Sequence, residues 1–239
     1  MNIDALKALT RDLIDEALQD MHAASKESSG KQHCFKTATY LLAGSKEYVD
    51  GAWEMLAVDK VRASLALSRW VLEAALNLFW AVANSDETDQ RLRELCGEAL
   101  RNDAVLAESQ VEMWRDLAQP LKARAKRARE KRKELGVDKK LADLSTRMTS
   151  GLKPSADAAG KLNGLGSKQY ALYKMCCSAV HCSLKIWESS SNTLLIPERA
   201  CFMAAASPYY LVMNAHVLTD TGDANELKEW WTKAEPMLP

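Results

Sequence analysis

The stretch from Val61 to Ala83, VRASLALSRWVLEAALNLFWAVA, constrains the fold of this chain more than any other segment. Apolar side chains point in every direction around it, and a helix that is apolar all round must be enclosed by other helices or by lipid. A membrane-spanning helix needs about 20 nearly uninterrupted apolar residues, whereas Arg69 and Glu73 lie in the middle of this stretch. The stretch therefore predicts a buried central helix, and we expect no membrane partner.

Arg69 and Glu73 are spaced i,i+4, so they share one face of the central helix and can pair with each other. Buried charges are normally paired whatever their function, so one interpretation is an internal ion pair that fixes the register of the helix. The other interpretation is that the two groups form half of a polar site. Both interpretations stay open at this point.

The composition favours helix throughout the chain. Of the 239 residues, 47% are hydrophobic, only ten are glycine and six are proline. No run alternates strictly between apolar β-branched and polar residues, as a half-buried strand would. A chain of this length can bury one sizeable core. We therefore expect an all-α, single-domain bundle over residues 1–239, with roughly eight to ten helices around the buried central helix.

Apolar periodicity and helix breakers predict the helix limits in the first part of the chain. Residues 3–23 show one apolar stripe and predict the first helix. A short helix from Cys34 is expected to end at Gly44, a natural left-handed cap, and the next helix runs on through Met55.

A long helix is expected in the middle of the chain, after a shorter one over residues 90–101. It begins at Asn102 or Asp103 and ends at Gly136. Its apolar seam consists of Leu106, Val111, Trp114, Leu117 and Leu121. Asp138 is then expected to cap a shorter helix, KKLADLSTRM.

Residues 151–167 contain four of the ten glycines and a proline, which predicts a flexible connection. Ser167 opens the second well-marked helix, KQYALYKMCCSAVHCSLKIWES. Pro208 is expected to break or kink the following apolar segment, and TGDANELKEWWTKAE supplies a terminal helix.

The tryptophans are large apolar side chains and are expected to anchor the core at Trp70, Trp80, Trp114 and Trp187. Trp230 and Trp231 cannot both face inward, because neighbours on a helix diverge by about 100°. One of the two is expected to cover a partner surface. This suggests a homodimer as a hypothesis.

The tract over residues 121–140 is strongly basic in a chain whose formal net charge is zero, with ten basic and three acidic residues. One interpretation is a solvated helical arm. The other is a surface that binds the phosphates of a nucleic acid. Aromatic residues are missing from the tract, so the stacking of single-stranded bases is not indicated there. The candidate nucleic-acid-binding residues are Arg124, Lys126, Arg127, Arg129, Lys131 and Arg132.

The sequence predicts no cofactor and no metal site. It contains no glycine-rich phosphate loop, no serine-hydrolase elbow and no zinc-protease motif. Cys177 and His181 are spaced as two metal ligands could be, but a structural metal site usually needs four. The six cysteines include no C-x-x-C pair and the first residues form an acidic amphipathic pattern, so we expect free thiols in the cytoplasm.

Polar groups gather on one face of the helix that follows residues 151–167. Tyr170, Lys174, Cys177 and His181 are three or four positions apart, and Ser178 lies at their margin. A histidine near a tyrosine and a thiol or hydroxyl supplies the groups of general acid–base chemistry, because imidazole titrates near neutrality. If this face meets Arg69 and Glu73, the core holds more polar groups than packing requires.

These motifs resemble those of the bacterial helical family known as domain of unknown function 5677. The resemblance is carried by R-x-x-x-E at Arg69 and Glu73, and by Y-x-x-x-C-S-x-x-H-x-S, which is Tyr173, Cys177, Ser178, His181 and Ser183. It covers roughly residues 40–195 and includes the KKLADL segment. It implies a helical fold and a shared polar cluster, and no particular reaction.

A looser likeness connects the chain to HEPN helical bundles, which include ribonucleases that work through an R-x(4–6)-H motif at a dimer interface. None of the four histidines here has an arginine at that distance, and Lys174 lies seven positions before His181. Lysine lacks the planar fork of arginine, so the likeness does not imply ribonuclease activity.

The candidate catalytic residues are Arg69, Glu73, Tyr173, Ser178 and His181. In the leading hypothesis the protein acts on a nucleic acid or nucleotide in bacterial phage defence or stress response. His181 is then the acid–base group, and Arg69 stabilises a phosphate or an oxyanion. The competing hypothesis is a non-catalytic scaffold that binds another protein and uses the same cluster only to fix its fold.

Overall fold

The fold is all-α, as predicted. A computed structural model of the chain describes residues 2–28, 30–137, 139–150, 168–177 and 197–238, and these residues form nine α-helices and no strand. The helices are α1 (Ile3–Glu27), α2 (Gln32–Ala57), α3 (Val61–Val82), α4 (Thr88–Met113), α5 (Ala118–Glu134), α6 (Leu144–Ser150), α7 (residues 168–177), α8 (Pro197–Thr219) and α9 (Ala224–Ala234). Three single turns of 3₁₀ helix add Ser85–Glu87, Arg115–Leu117 and Glu235–Met237.

The chain divides into two compact units. The first unit consists of Met1–Ala83 and Leu152–Pro239, and the second consists of Asn84–Gly151. In the described residues the first unit contains α1, α2, α3, α7, α8 and α9, and the second contains α4, α5 and α6. The expectation that the whole chain forms one domain stays a prediction.

Helix α3 is the centre of the first unit, as its sequence predicts. It packs most extensively against α8 and α2, and Leu72, Leu76 and Phe79 are fully buried. Small residues of α8, including Ala204 to Ala206, are also buried and let two helices approach closely. One side of α3 stays open, because Trp70 is 54% exposed.

By length and composition alone, α3 is the one helix among the described residues that could cross a membrane. More than half of its most apolar window, 56%, is buried against the protein itself. A core helix gives the same pattern, and Arg69 and Glu73 lie in its middle.

The second unit is a helix hairpin. Helices α4 and α5 pack against each other through a narrow seam of Ala104, Ala107, Leu121, Ala125 and Ala128. Ion pairs from Arg124 to Asp103 and from Arg129 to Glu108 join the same two helices. The hairpin is therefore held by close alanine packing and by charge.

The prediction of one long helix that ends at Gly136 is wrong. The chain turns at Trp114, and α5 begins at Ala118 with Pro120 in its first turn. Proline is tolerated in the first turn of a helix and breaks one in its interior, so Pro120 favours two helices over one. The predicted seam opens at the turn, where Trp114 and Leu117 are exposed.

Other predicted helix limits also need correction. Gly44 lies inside α2, which continues to Ala57 and ends before Asp59, a residue in the left-handed region at φ 55°. The boundary expected at Arg101 is absent, because α4 runs from Thr88 to Met113. Helix α8 continues through Pro208. Tertiary packing stabilises these helices beyond what caps and breakers predict.

The tryptophans divide between core and surface. Trp80 and Trp230 are buried, whereas Trp70 and Trp114, both expected in the core, are half exposed. Trp187 lies outside the described residues. The prediction that Trp230 and Trp231 differ in burial is confirmed, because Trp231 is only partly covered.

A buried hydrogen bond between α1 and α2 gives a first prediction. The indole nitrogen Nε1 of Trp53 donates to Oγ1 of Thr10 over 2.9 Å, and both residues are fully buried. Thr10→Val removes the acceptor, so the free energy of unfolding should fall by about 1–3 kcal/mol in urea denaturation. Thr39→Val at an exposed position of α2 is the control and should change it by less than about 0.5 kcal/mol. Equal effects of the two variants would contradict a stabilising hydrogen bond between Trp53 and Thr10.

Two helical glycines give a second prediction. A Cβ atom at Gly44 meets nothing within 4 Å, whereas one at Gly97 lies 2.9 Å from Val137. Gly44→Ala should raise the free energy of unfolding by up to about 1 kcal/mol, because alanine is the better helix former. Gly97→Ala should instead lower it by about 1–3 kcal/mol through overpacking.

A double variant tests the cause of the effect at Gly97. Val137→Ala should cost less in the Gly97→Ala background than in the natural chain, because it relieves the clash. Urea unfolding followed by circular dichroism measures all four proteins. Stabilisation by Gly97→Ala would show that the contact is not present.

Candidate functional site

A buried polar bridge positions α7 against α3. The amide Nδ2 of Asn214, on α8, donates to the backbone oxygen of Ala75 on α3 over 2.7 Å. The same nitrogen donates to Oε1 of Gln169 on α7 over 3.0 Å. Asn214 and Gln169 are buried, so these bonds are made away from water. One side chain thus ties three helices together.

One turn along α7 from Gln169, Tyr173 reaches the central helix. Nη2 of Arg69 donates to the hydroxyl oxygen of Tyr173 over 3.3 Å, across 104 positions of sequence. Nη2 also lies 4.0 Å from Oε2 of Glu73, at the limit of an ion pair. Three of the five candidate catalytic residues therefore lie together, and the tyrosine is the nearer partner of the arginine.

The guanidinium of Arg69 lies against two aromatic rings. Its carbon Cζ is 5.5 Å from the ring centre of Tyr173 and 6.0 Å from that of Trp70. Both distances are within reach of a cation–π interaction. The Arg69 side chain is 23% exposed, and its buried Nε has no hydrogen-bond partner within the described part of the chain. The group is held in place while part of it stays open to a ligand.

The electrostatics keep Arg69 charged and Tyr173 neutral. The hydrogen bond with Tyr173 is the main cause that raises the pKa of Arg69. Burial is the main cause that raises the pKa of Tyr173 to about 12, and the Arg69 hydrogen bond works in the opposite direction. At neutral pH the pair therefore offers a guanidinium that can donate hydrogen bonds to an anion, beside a neutral phenolic hydroxyl that accepts from Arg69.

Further rings continue on both sides of this pair. The ring of Tyr48 on α2 stacks on Trp70 at 6.2 Å, and the ring of Tyr170 on α7 stacks on Tyr173 at 6.2 Å. Nζ of Lys174 lies 5.5 Å from the ring centre of Tyr170. We call this set the aromatic track: Tyr48, Trp70, Arg69, Tyr173, Tyr170 and Lys174.

The sequence pointed to Arg69 and to the α7 members of the aromatic track, but not to Tyr48 or Trp70. Trp70 and Tyr48 belong to different helices, and only the packing of α2 on α3 brings their rings together. For Trp70 the available signal was that it directly follows a charged residue on the central helix.

Two of the five candidate catalytic residues, Ser178 and His181, lie outside the described residues. Cys177 is described and is half-buried, and it contributes to the raised pKa values of both Arg69 and Tyr173. Cys176 is buried, which raises its pKa to about 12 and keeps it a neutral thiol, as expected for a core cysteine. The catalytic role of the cluster stays a prediction.

The basic tract lies largely on α5, where four of its six candidate residues have partners in the hairpin. Arg124 and Arg129 pair with Asp103 and Glu108. Lys126 lies 3.8 Å from Glu130, and Arg132 donates to the backbone oxygen of Lys139 over 3.0 Å. These contacts reduce the positive charge that the helix offers to phosphates. Binding of a nucleic acid by this tract stays a prediction.

Trp231 contacts rings of its own chain. Its ring lies 5.1 Å from that of Tyr209 and 5.9 Å from that of Phe202. The partly buried ring of Trp231 therefore has an intramolecular role, and the homodimer stays a prediction.

No family model matches the chain, and no match was found among the curated proteins or the solved structures. Membership of the family of unknown function 5677 therefore stays a prediction from the motifs alone.

A double-mutant cycle tests the Arg69–Tyr173 contact. Arg69→Gln and Tyr173→Phe should show a coupling free energy of about 1 kcal/mol in urea unfolding, because the lost hydrogen bond has a charged donor that is partly exposed. Tyr173→Phe keeps the ring, so Tyr173→Leu should destabilise the protein further by removing the cation–π contact. Pairing Arg69→Gln with Tyr40→Phe, which changes an exposed ring, is the control. Additive effects at Arg69 and Tyr173 would contradict the contact.

Proposed function

We propose that this protein binds a nucleotide or a nucleic acid at the Arg69–Tyr173 pair and acts on it. The observation that carries the proposal is the partly open guanidinium of Arg69 between the rings of Trp70 and Tyr173. A guanidinium binds phosphate oxygens through paired hydrogen bonds, and an exposed aromatic ring stacks on a base. These are the two chemical parts that a nucleotide presents.

In the catalytic form of the proposal, His181 is the acid–base group and Arg69 stabilises charge that develops on a phosphate. Support comes from the sequence motif, in which His181 follows Tyr173 by about two turns of the predicted helix. We extend the proposal to membership of the bacterial family of unknown function 5677, to the cytoplasm, and to a role in phage defence or stress response.

A second candidate function is a non-catalytic scaffold that binds another protein. It is favoured by the large apolar side chains that the hairpin exposes, among them Leu106, Met113, Trp114 and Leu117. Exposed apolar groups that lie close together often mark a protein interface. In this case the Arg69–Tyr173 pair serves only to fix α7 on α3.

Fluorescence anisotropy of the full chain tests the proposal with two labelled probes at low salt, adenosine triphosphate and a single strand of about twelve nucleotides. Arg69→Gln should weaken binding about tenfold or more, because it removes the charged donors. Arg69→Lys should be intermediate, because a point charge replaces the planar fork. Arg93→Gln, which removes an exposed arginine from α4, is the charge-matched control and should bind like the natural chain.

Three outcomes decide between the functions. Binding of either probe that depends on Arg69 supports the proposed site. Turnover of a bound probe that is lost in a stably folded His181→Ala variant supports the catalytic form. If neither probe binds, or if Arg69→Gln binds as well as the natural chain, the proposal is wrong and the scaffold is favoured.

A further inference from the structure

The aromatic track is longer than a site for one nucleotide requires. It begins at Tyr48 on α2, crosses α3 at Trp70 and Arg69, and continues on α7. Successive members of the track lie 5.5–6.2 Å apart, with five such steps from Tyr48 to Lys174. Adjacent nucleotides in a stacked strand are separated by about 3.4 Å. The track therefore has room for several consecutive nucleotides.

The track consists of two pairs of rings, each followed by a cation. Arg69 lies in the middle, between the rings of Trp70 and Tyr173, and Lys174 lies at one end over Tyr170. Trp70 is 54% exposed and Tyr48 is 40% exposed, so parts of both side chains remain accessible at the other end, although their rings stack on each other. Proteins that bind single strands combine aromatic platforms for the bases with positive charge for the backbone.

We propose that the aromatic track binds an unpaired stretch of nucleic acid several nucleotides long, with its bases on the rings and its phosphates at Arg69 and Lys174. This deepens the proposed function and rests on it, because both use Arg69. A duplex hides its base faces in the stack, so only an unpaired segment can use the rings. A single nucleotide would occupy Arg69 and its neighbours and leave both ends of the track unused.

The chemistry of the track also predicts its selectivity. Every base has a π-face, so stacking tolerates changes of sequence. We expect broad sequence tolerance for this reason.

The experiment compares a mononucleotide with oligonucleotides of two to about twelve residues, as DNA and as RNA, on the full chain. Affinity should rise with length and level off within this range. Tyr48→Ala and Tyr170→Ala, at the two ends, should each weaken binding of the longest strand about tenfold and leave binding of the mononucleotide unchanged. Comparison of the DNA and RNA series shows whether the sugar affects binding. A duplex of the same length should bind at least about tenfold more weakly than the single strand.

Tyr40→Ala is the matched control, because Tyr40 is a 78% exposed tyrosine of α2 that lies outside the track. It should bind like the natural chain. Circular dichroism and the unfolding midpoint establish that each variant is folded. Since the two ends of the track lie on different helices, a folding defect in one variant leaves the other as the test.

Salt dependence separates the track from the basic tract on α5. Two cations predict a slope of about −1.4 for the logarithm of the association constant against the logarithm of salt concentration. Six cations, the number of candidates in the basic tract, predict about −4. Arg127→Gln combined with Lys131→Gln on α5 should leave binding to the track unchanged.

The outcomes distinguish the two proposals. If the mononucleotide binds through Arg69 but longer strands bind no more tightly, the proposal that the aromatic track binds several nucleotides is wrong. The proposed function is then unaffected. A slope near −4 that disappears with the α5 variant also overturns the track. If no probe binds, the proposed function fails and the inference fails with it.

Discussion

The unequal enclosure of α3 is the constraint on which the first unit depends. The helix is apolar enough to require neighbouring helices. Helices α2 and α8 pack against it and bury Leu72, Leu76 and Phe79 completely. Helix α7 also reaches α3 through Tyr173, and part of one side of α3 stays exposed. That open side carries Trp70 and Glu73, three positions apart and therefore on one surface. The candidate site is thus a consequence of how the core is built.

A buried polar bridge selects one arrangement of the helices in this unit. Asn214 links α8 to α3 and α7, and this bridge places Tyr173 beside Arg69. Polar groups buried without partners cost about 1–3 kcal/mol each, so a buried bridge of this kind favours one arrangement of the helices over others. The buried Nε of Arg69 and Oδ1 of Asn77 lack partners in the described part of the chain. Both atoms have almost no exposed surface, so they are a cost that the rest of the fold offsets.

The second unit is stabilised in a different way. Its hairpin buries mostly alanine, which removes little apolar area from water, and it adds ion pairs across the helices at Arg124 and Arg129. Exposed ion pairs contribute little individually and weaken with salt. The charge of the basic tract is therefore explained in part by the fold of the hairpin itself. This is a structural reason to look for nucleic-acid binding on the aromatic track first.

The sequence by itself determined the fold class, the central helix and the closeness of Arg69 to Glu73, because these follow from local periodicity and spacing. It also marked Tyr173 as a polar residue that could meet Arg69, although 104 positions separate them. It could not show that Gly44 lies within a helix or that Trp70 is exposed, because packing between distant segments outweighs local propensity. The pairing of Tyr48 with Trp70, and the position of Arg69 between two pairs of rings, were decided only by the tertiary structure. The physical reason is that neither a helical wheel nor residue spacing specifies which helices become neighbours. The aromatic track exists only because α2 and α7 both contact α3.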